Sequence, residues 1–143
     1  MTVITHKGIE LELPDWLVGT KIEDKIRRGH YEKKESDAAR KRLREGMKVL
    51  EIGAGLGFVT AICAQIVGAE NVVAVEANPK MLEPIRGNLA RNGLDGVTLL
   101  HGAVVPQDFE GDTVQFRPGT LFWGGSLSLP DDASDDLIDV PAL

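Results

Sequence analysis

The sequence lacks the features of several protein classes. It holds a single cysteine, Cys63, among 143 residues, so it cannot form an intramolecular disulfide. No apolar run approaches the ~20 residues that a membrane-spanning helix requires. Charges within residues 1–14 leave no apolar core for a secretory signal. His6, His30 and His101 lack the spacing of metal ligands. We therefore expect a cytoplasmic protein with no membrane partner and no metal.

Charge is unevenly distributed around the net value of −6. Residues 21–48 carry eleven Lys or Arg against six Asp or Glu, whereas residues 108–143 carry eight acids against Arg117 alone. The basic stretch 33–46 alternates charge sign and has no interleaved aromatic residue, which is typical of a solvated helix face rather than a nucleic-acid interface. We therefore expect no nucleic-acid partner.

The length suits one domain, and residues 1–45 predict a strand and helices at its start. Alternating apolar residues predict a short half-buried strand, in a hairpin or at a sheet edge, that ends at Pro14. One or two helices follow from about residue 22, the last over 36–45 with Gly46 as its C-terminal cap. The residues expected on the inner face of that helix are Ala38, Ala39, Leu43 and Met47.

Residues 46–106 show a regular alternation of strand and helix patterns. Short apolar runs rich in β-formers predict buried strands, and longer apolar-periodic segments predict the helices between them. Together they indicate a βαβαβ unit with a parallel, Rossmann-like sheet in an α/β fold. The predicted strands are 47–52, 71–75 and 97–101, and the predicted helices are 58–67 and 80–91.

The pattern changes after residue 106. Two β-forming runs, 113–116 and 120–123, flank a turn sequence at 117–119 and predict a C-terminal β-hairpin. The remainder is acidic and poor in aromatics, so we expect a loose or partly disordered end. We thus expect one domain over residues 1–143 with three parts. These are the N-terminal strand and helices (1–45), the βαβαβ unit (46–106), and the hairpin with its acidic end (107–143).

The stretch VLEIGAGLGFVT at 49–60 carries the clearest chemical signal. Glycines at a strand-to-helix turn permit positive φ and let a ligand approach the backbone, and the helix N-terminus offers unpaired N–H groups. A dinucleotide fingerprint, G-x-G-x-x-G, needs its last glycine at position 58, where this chain has Phe58. The third glycine is instead Gly57.

Two acids narrow the ligand further. Glu76 ends the second predicted strand, where a carboxylate can accept hydrogen bonds from both hydroxyls of a ribose. Glu51, just before the glycines, disfavours a nearby pyrophosphate but can pair with the α-amino group of an amino acid. The ligand most consistent with both is S-adenosylmethionine, although a nicotinamide dinucleotide in an oxidoreductase stays an alternative.

These motifs, with VVAVEANP and a helix ending RNGL before VTLLHGAV, resemble the first half of class I S-adenosylmethionine-dependent methyltransferases. GHYEKKE upstream and FWGGSL downstream resemble the FkbM type more narrowly. The resemblance implies O-methylation of a small molecule or a sugar, and it implies no catalytic side chain, because positioning drives methyl transfer. The cofactor-binding residues that it implies are Tyr31, Glu32, Glu51, Gly53, Ala54, Gly55, Gly57, Glu76, Ala77, Asn78, Gly102, Ala103 and Val104.

The sequence departs from that family after the third strand of the unit. A class I sheet has seven strands, and the fourth, which would cover the first, is not evident before Leu143. Because an apolar edge strand is rarely left open, we expect either a truncated chain or a homodimer in which a second copy covers that edge. The second functional hypothesis is therefore a non-catalytic remnant that binds S-adenosylmethionine or acts as an interaction module.

Overall fold

A computed structural model describes residues 2–119, 126–127 and 137–143 of the chain. The N-terminal segment forms an antiparallel hairpin of strands β1 (Thr2–His6) and β2 (Ile9–Leu13). Its turn uses positive φ at Lys7 and Gly8. The predicted strand before Pro14 is thereby confirmed as the second arm of a hairpin, whose inward side chains, including Ile9 and Leu11, are fully buried.

Two helices follow the hairpin, α1 (Lys21–Arg27) and α2 (Lys33–Arg42). The predicted bounds 36–45 are wrong, because α2 begins three residues earlier and ends where Leu43 adopts an extended conformation. Gly46 is therefore not its cap, and the Gly46 N–H donates instead to the carbonyl of Val67 at 3.0 Å. Met47, expected on the inner face, is 44% exposed.

The central unit is a three-stranded parallel sheet with strand order β3-β4-β5, as the sequence pattern predicted. Helices α3 and α4 make the crossovers and pack on one face of the sheet. The hairpin strand β2 packs in turn on α3 and α4, so the helices form a middle layer. The bounds are β3 (Val49–Ile52), α3 (Phe58–Val67), β4 (Val72–Glu76), α4 (Pro79–Arg91) and β5 (Thr98–His101).

The opposite face of this sheet is exposed on its two outer strands over the part of the chain that the structure describes, whereas Val75 on the central strand is 4% exposed. Leu50 and Ile52 of β3 are 64% and 62% exposed, and Leu100 of β5 is 40% exposed. The outer edge of β3 pairs with no described strand. Within the same described residues, no helix is long and apolar enough to cross a membrane.

The C-terminal segment forms a second antiparallel sheet with order β7-β6-β8, from β6 (Thr113–Arg117), β7 (Ser126–Leu127) and β8 (Ile138–Pro141). This confirms a C-terminal hairpin, although the predicted second arm, 120–123, lies outside the described residues. The prediction of a loose end is wrong for residues 137–143. There, Val140 is fully buried against Phe116, so non-local packing orders this segment.

Candidate functional site

The glycine loop lies at the carboxyl edge of the parallel sheet, between β3 and α3. Gly53 has φ +84° and Gly57 has φ +77°, conformations that side chains with a Cβ rarely adopt. The Gly53 N–H donates to the carbonyl of Val75 at 2.8 Å, which joins the loop to β4. No atom lies within 4 Å of where a Cβ on Gly53 would be, whereas a Cβ on Gly57 would lie 3.3 Å from Ile85. Gly53 therefore faces open space, and Gly57 is a packing position.

Glu76 connects this loop to the end of β4. Its two carboxylate oxygens accept hydrogen bonds from the N–H of Gly55 at 3.1 Å and from the N–H of Asn78 at 2.8 Å. Asn78 in turn caps α4, with its side-chain oxygen accepting from the Lys80 N–H. Each carboxylate oxygen keeps a second lone pair, so Glu76 is held in a fixed position with acceptor capacity left for a ligand.

Glu51 lies on the helix-covered side of β3. Its carboxylate accepts a short hydrogen bond from the hydroxyl of Thr60 on α3. Burial, which outweighs the opposing effect of the Thr60 hydrogen bond, raises the pKa of Glu51 to about 7, and the charge of Glu76 contributes to this rise. Thr60 was missed by the sequence reasoning, and only its place one turn into the helix after the glycines could have indicated it.

Tyr31 and Glu32 reach the same region from the loop between α1 and α2. The Tyr31 ring packs against Phe58, the first residue of α3, with ring centroids 5.9 Å apart. His6 also packs on Phe58 and bonds to the Tyr31 carbonyl through Nε2 at 2.9 Å. Burial, followed by the charge of Glu32, raises the pKa of Tyr31 well above its usual range, and Glu51 adds to the effect. The structure thus brings Tyr31 and Glu32 to the acids of the sheet.

The ends of β4 and β5 are adjacent, which places the last predicted site residues beside Glu76. His101 bonds to the Ala77 carbonyl through Nε2 at 3.2 Å, and the Gly102 N–H donates to the Glu76 carbonyl at 3.0 Å. Ala103 pairs through both backbone groups with the C-terminal segment, at Pro141 O and Leu143 N. Val104 is 43% exposed. Their contact with an adenine stays a prediction.

Asn88, on α4, was missed by the sequence reasoning. It is 1% exposed, and its side chain donates to the Leu56 carbonyl in the glycine loop at 3.0 Å. The same side chain accepts from the Glu12 N–H of β2 at 2.7 Å and donates to the Glu12 carbonyl at 3.4 Å. Its polar side chain at an inward position of an amphipathic helix was the feature of the sequence that could have indicated this role.

The site holds buried polar atoms that could form hydrogen bonds to a polar ligand. Among the described residues, no group of three His, Cys, Asp or Glu is placed to hold a metal ion. The hydroxyl of Tyr31 and Oε2 of Glu32 are buried and have no hydrogen-bond partner among those residues. Unpaired polar atoms of this kind, beside a glycine loop that faces open space at Gly53, are what a polar ligand would satisfy.

Comparison with known proteins supports this assignment over the central segment. Residues 35–105 match the sequence profile of the family described as protein-L-isoaspartate(D-aspartate) O-methyltransferase. The matched segment contains the glycine loop, Glu51, Glu76 and the end of β5, but not Tyr31 or Glu32. No solved structure matches the chain significantly.

Individual relatives align with this chain over segments similar in length to the profile match. A protein-L-isoaspartate O-methyltransferase of Methanothrix thermoacetophila is 44% identical over 61 residues, which cover 42% of this chain and 29% of the relative. The protein-L-isoaspartate O-methyltransferase of Methanocella arvoryzae is 48% identical over 56 residues, which cover 38% of this chain and 30% of the relative. A protein-lysine N-methyltransferase of Chaetomium thermophilum is 31% identical over 80 residues, which cover 56% of this chain and 19% of the relative. The aligned segments span less than a third of each relative.

These names bear on the expectations drawn from the sequence. The methyltransferase assignment is confirmed at the level of the class, whereas the FkbM type is not shown. The relatives are named for protein acceptors, so a small molecule or a sugar as acceptor finds no support among them. Over residues 35–105, just under half of the chain, the sequence is thus similar to that of O-methyltransferases.

Proposed function

We propose that this chain binds S-adenosylmethionine at the carboxyl edge of its parallel sheet, as the cofactor-binding part of a methyltransferase. The glycine loop, with Gly53, Ala54, Gly55 and Gly57, would hold the methionine moiety. Glu76, with Ala77 and Asn78, would hold the ribose, and residues 102–104 would flank the adenine. When bound, the cofactor supplies an activated methyl group, and the protein supplies position and exclusion of water.

The observation that carries this proposal is the double anchoring of Glu76. One of its oxygens is bonded to the glycine loop at Gly55 and the other to the cap of α4 at Asn78. The carboxylate is therefore fixed between the two places where the methionine and the ribose of one cofactor molecule would lie. The profile match over residues 35–105 supports the same assignment independently.

Calorimetric titration of the chain with S-adenosylmethionine, S-adenosylhomocysteine and NAD tests the proposal. We expect binding of the first two and none of NAD. Glu76→Gln keeps the shape but puts an amide N–H against a backbone N–H, so it is expected to lower affinity at least about tenfold. Glu83→Gln, on the exposed face of α4, is the matched control and is expected to bind as the wild type does. Binding of NAD alone would end the proposal in favour of an oxidoreductase.

For the acceptor, we propose a protein side chain rather than a small molecule or a sugar. The support is the printed names of the relatives, which are protein isoaspartyl and protein-lysine methyltransferases. Transfer of a labelled methyl group to an isoaspartyl peptide, with the aspartyl peptide as control, tests this acceptor class. Labelling of sugars alone would restore the FkbM interpretation.

A second candidate function is binding of the cofactor without turnover. The specific observation in its favour is the open edge of β3, since no described strand closes the sheet beside the glycine loop. Equilibrium binding of S-adenosylmethionine with no methyl transfer to a peptide, lysine or sugar acceptor would favour it. Methyl transfer at a rate above the uncatalysed background would exclude it.

A further inference from the structure

Tyr31 and Glu32 carry two buried polar atoms that form no hydrogen bond of normal geometry with the described residues. Tyr31 is 4% exposed, and its hydroxyl lies near the Leu56 backbone and the Glu32 carboxyl without such a bond to either. Glu32 as a residue is partly exposed, but its Oε2 atom is buried and likewise lacks such a bond. Both residues precede the segment 35–105 that matches the family profile. Buried polar groups are nearly always paired, and these two therefore need an explanation.

The backbone holds Glu32 in a conformation that costs energy. Glu32 has φ +44° and ψ +38°, the left-handed region, which a residue with a side chain seldom occupies. It stands at the N-cap of α2, yet its side chain makes no capping hydrogen bond. His6 fixes the preceding carbonyl from β1, and Ser36 N–H donates to the Glu32 carbonyl at 3.0 Å. A strained residue held from both sides and turned away from its local role is typical of a binding position.

The groups that act on the Glu32 carboxyl are acidic or neutral. Glu51 faces it from β3, Glu35 acts from its own helix, and the Tyr31 hydroxyl lies beside it. Two cations of this part of the chain, Lys7 and Lys33, both bond to Asp37 on the outer side of α2, and no cation is among the groups that act on the Glu32 carboxyl.

The region between the loop and the sheet therefore concentrates carboxyl groups. Burial and the charge of Glu51 raise the pKa of Glu32 to about 8. Such a region favours a ligand group of positive charge, which would stabilise the ionised carboxylates.

We propose that Glu32 is the counter-ion for the cationic methionyl end of the donor and makes this chain prefer the sulfonium donor over its thioether product. This rests on the proposed function. S-adenosylmethionine carries an ammonium, a carboxylate and a sulfonium, a net charge of +1 at that end, whereas S-adenosylhomocysteine has a neutral sulfur and a net charge of zero. Beside the carboxyl groups of Glu32 and Glu51, the sulfonium donor is favoured electrostatically. Glu32 thereby acts as a specificity-determining residue.

A second consequence is that donor binding releases a proton. At pH 7 the Glu32 carboxyl is largely protonated, because its pKa is about 8. A cation bound beside it stabilises the carboxylate, so the proton leaves on binding. The affinity for the sulfonium donor therefore rises between pH 7 and pH 9, and the affinity for the neutral thioether rises less.

The test compares affinities for three probes: S-adenosylmethionine, S-adenosylhomocysteine and sinefungin, in which a charged amine replaces the sulfonium. The wild type is expected to bind the two cationic probes at least about tenfold more tightly than the thioether at pH 8, equivalent to one pKa unit. Glu32→Gln is expected to reduce that ratio toward one. Glu35→Gln, exposed one turn along the same helix, removes the same charge and is expected to keep the ratio.

Each outcome decides between the proposals. If Glu32→Gln binds all probes and keeps the wild-type ratio, the counter-ion proposal is overturned while the proposed function stands. If the wild type binds none of the probes, both fall together. If Glu32→Gln does not fold, calorimetry of the wild type in buffers of different ionisation enthalpy decides: donor binding without proton release at pH 7 overturns the proposal, and release supports it.

Discussion

The two faces of the parallel sheet differ sharply although the same three strands form both. On one face, Val72 and Ala74 are fully buried under α3 and α4. On the other, Leu50 and Ile52 are more than 60% exposed. Hydrogen bonds hold two candidate site residues of these strands, Glu51 on β3 and Glu76 on β4. Glu51 is bonded to α3 on the covered side, and Glu76 is bonded to the glycine loop above it. The covered face thus fixes the geometry of the site, and the open face contributes apolar surface alone.

The largest expected effect is loss of the packing that joins the covered face to Tyr31. Phe58 is fully buried between His6 and Tyr31, with ring centroids 4.4 Å and 5.9 Å away. Phe58→Ala is expected to lower the free energy of unfolding by about 3–5 kcal/mol, the cost of a large buried cavity. Chemical denaturation measures it. A loss below about 1 kcal/mol would mean that the covered face does not depend on this ring.

Alkaline pH is expected to weaken the covered face of the ligand-free chain. Glu51 and Glu32, with pKa values raised to about 7 and about 8, bind protons in the folded state that the unfolded chain has released. Their stabilising effect is complete below the ordinary carboxyl pKa of 4.5 and is lost as pH rises from there to about 8. The part of this loss that falls between pH 7 and pH 9 is about 2 kcal/mol in the free energy of unfolding. Denaturation at pH 7 and pH 9 measures the change, and Glu32→Gln is expected to remove most of it. A pH-independent stability would contradict the burial of these carboxyls.

Two glycines of the loop allow a matched comparison of packing with open space. Gly57→Ala combines positive φ with a contact 3.3 Å from Ile85, so we expect a loss of about 2 kcal/mol in stability. Gly53→Ala carries the backbone strain alone, about 1 kcal/mol. Because its Cβ would occupy the open space at the loop, it is expected to weaken binding of S-adenosylmethionine more than Gly57→Ala does. Thermal unfolding and calorimetry separate the two effects, and equal affinities would refute the assignment of Gly53 to the ligand side.

The smallest effect on stability is expected on the open face. Leu50→Lys replaces a 64% exposed side chain and is expected to change the free energy of unfolding by less than about 0.5 kcal/mol. Exposed apolar surface beside an unpaired strand favours association, so the wild type is expected to elute as a larger species with rising concentration and the variant to stay monomeric. Size-exclusion chromatography measures this. A wild type that elutes as a monomer throughout would argue against the homodimer expected from the sequence.

The central βαβαβ unit could be predicted from the sequence because its signals are local. Period, glycine placement and Pro79 after Asn78 set each strand and helix within a few residues. The order of the parallel strands then follows from the short connections, and with it the meeting of Glu76 and the glycine loop at one edge.

The rest depended on contacts between distant parts of the chain. The end of α2 is set by backbone conformation at Leu43 rather than by Gly46, and β8 is ordered by packing of Val140 on Phe116. Thr60 and Asn88 carry no recognisable motif, because their roles arise only once α3 and α4 are placed. The burial of Oε2 of Glu32 without a hydrogen-bond partner among the described residues follows from its surroundings, which no local pattern specifies.

Asn88 has a consequence for how a change at the loop would spread. One amide side chain holds the Leu56 carbonyl on one side and both backbone groups of Glu12 on the other, 76 positions away along the chain. A ligand that tightens the loop therefore also slows the opening of the N-terminal hairpin, and protection of the Glu12 amide against hydrogen exchange reports occupancy from a distance. Hydrogen exchange in the hairpin, which is separate from the parallel sheet, is thus expected to report ligand binding at that sheet.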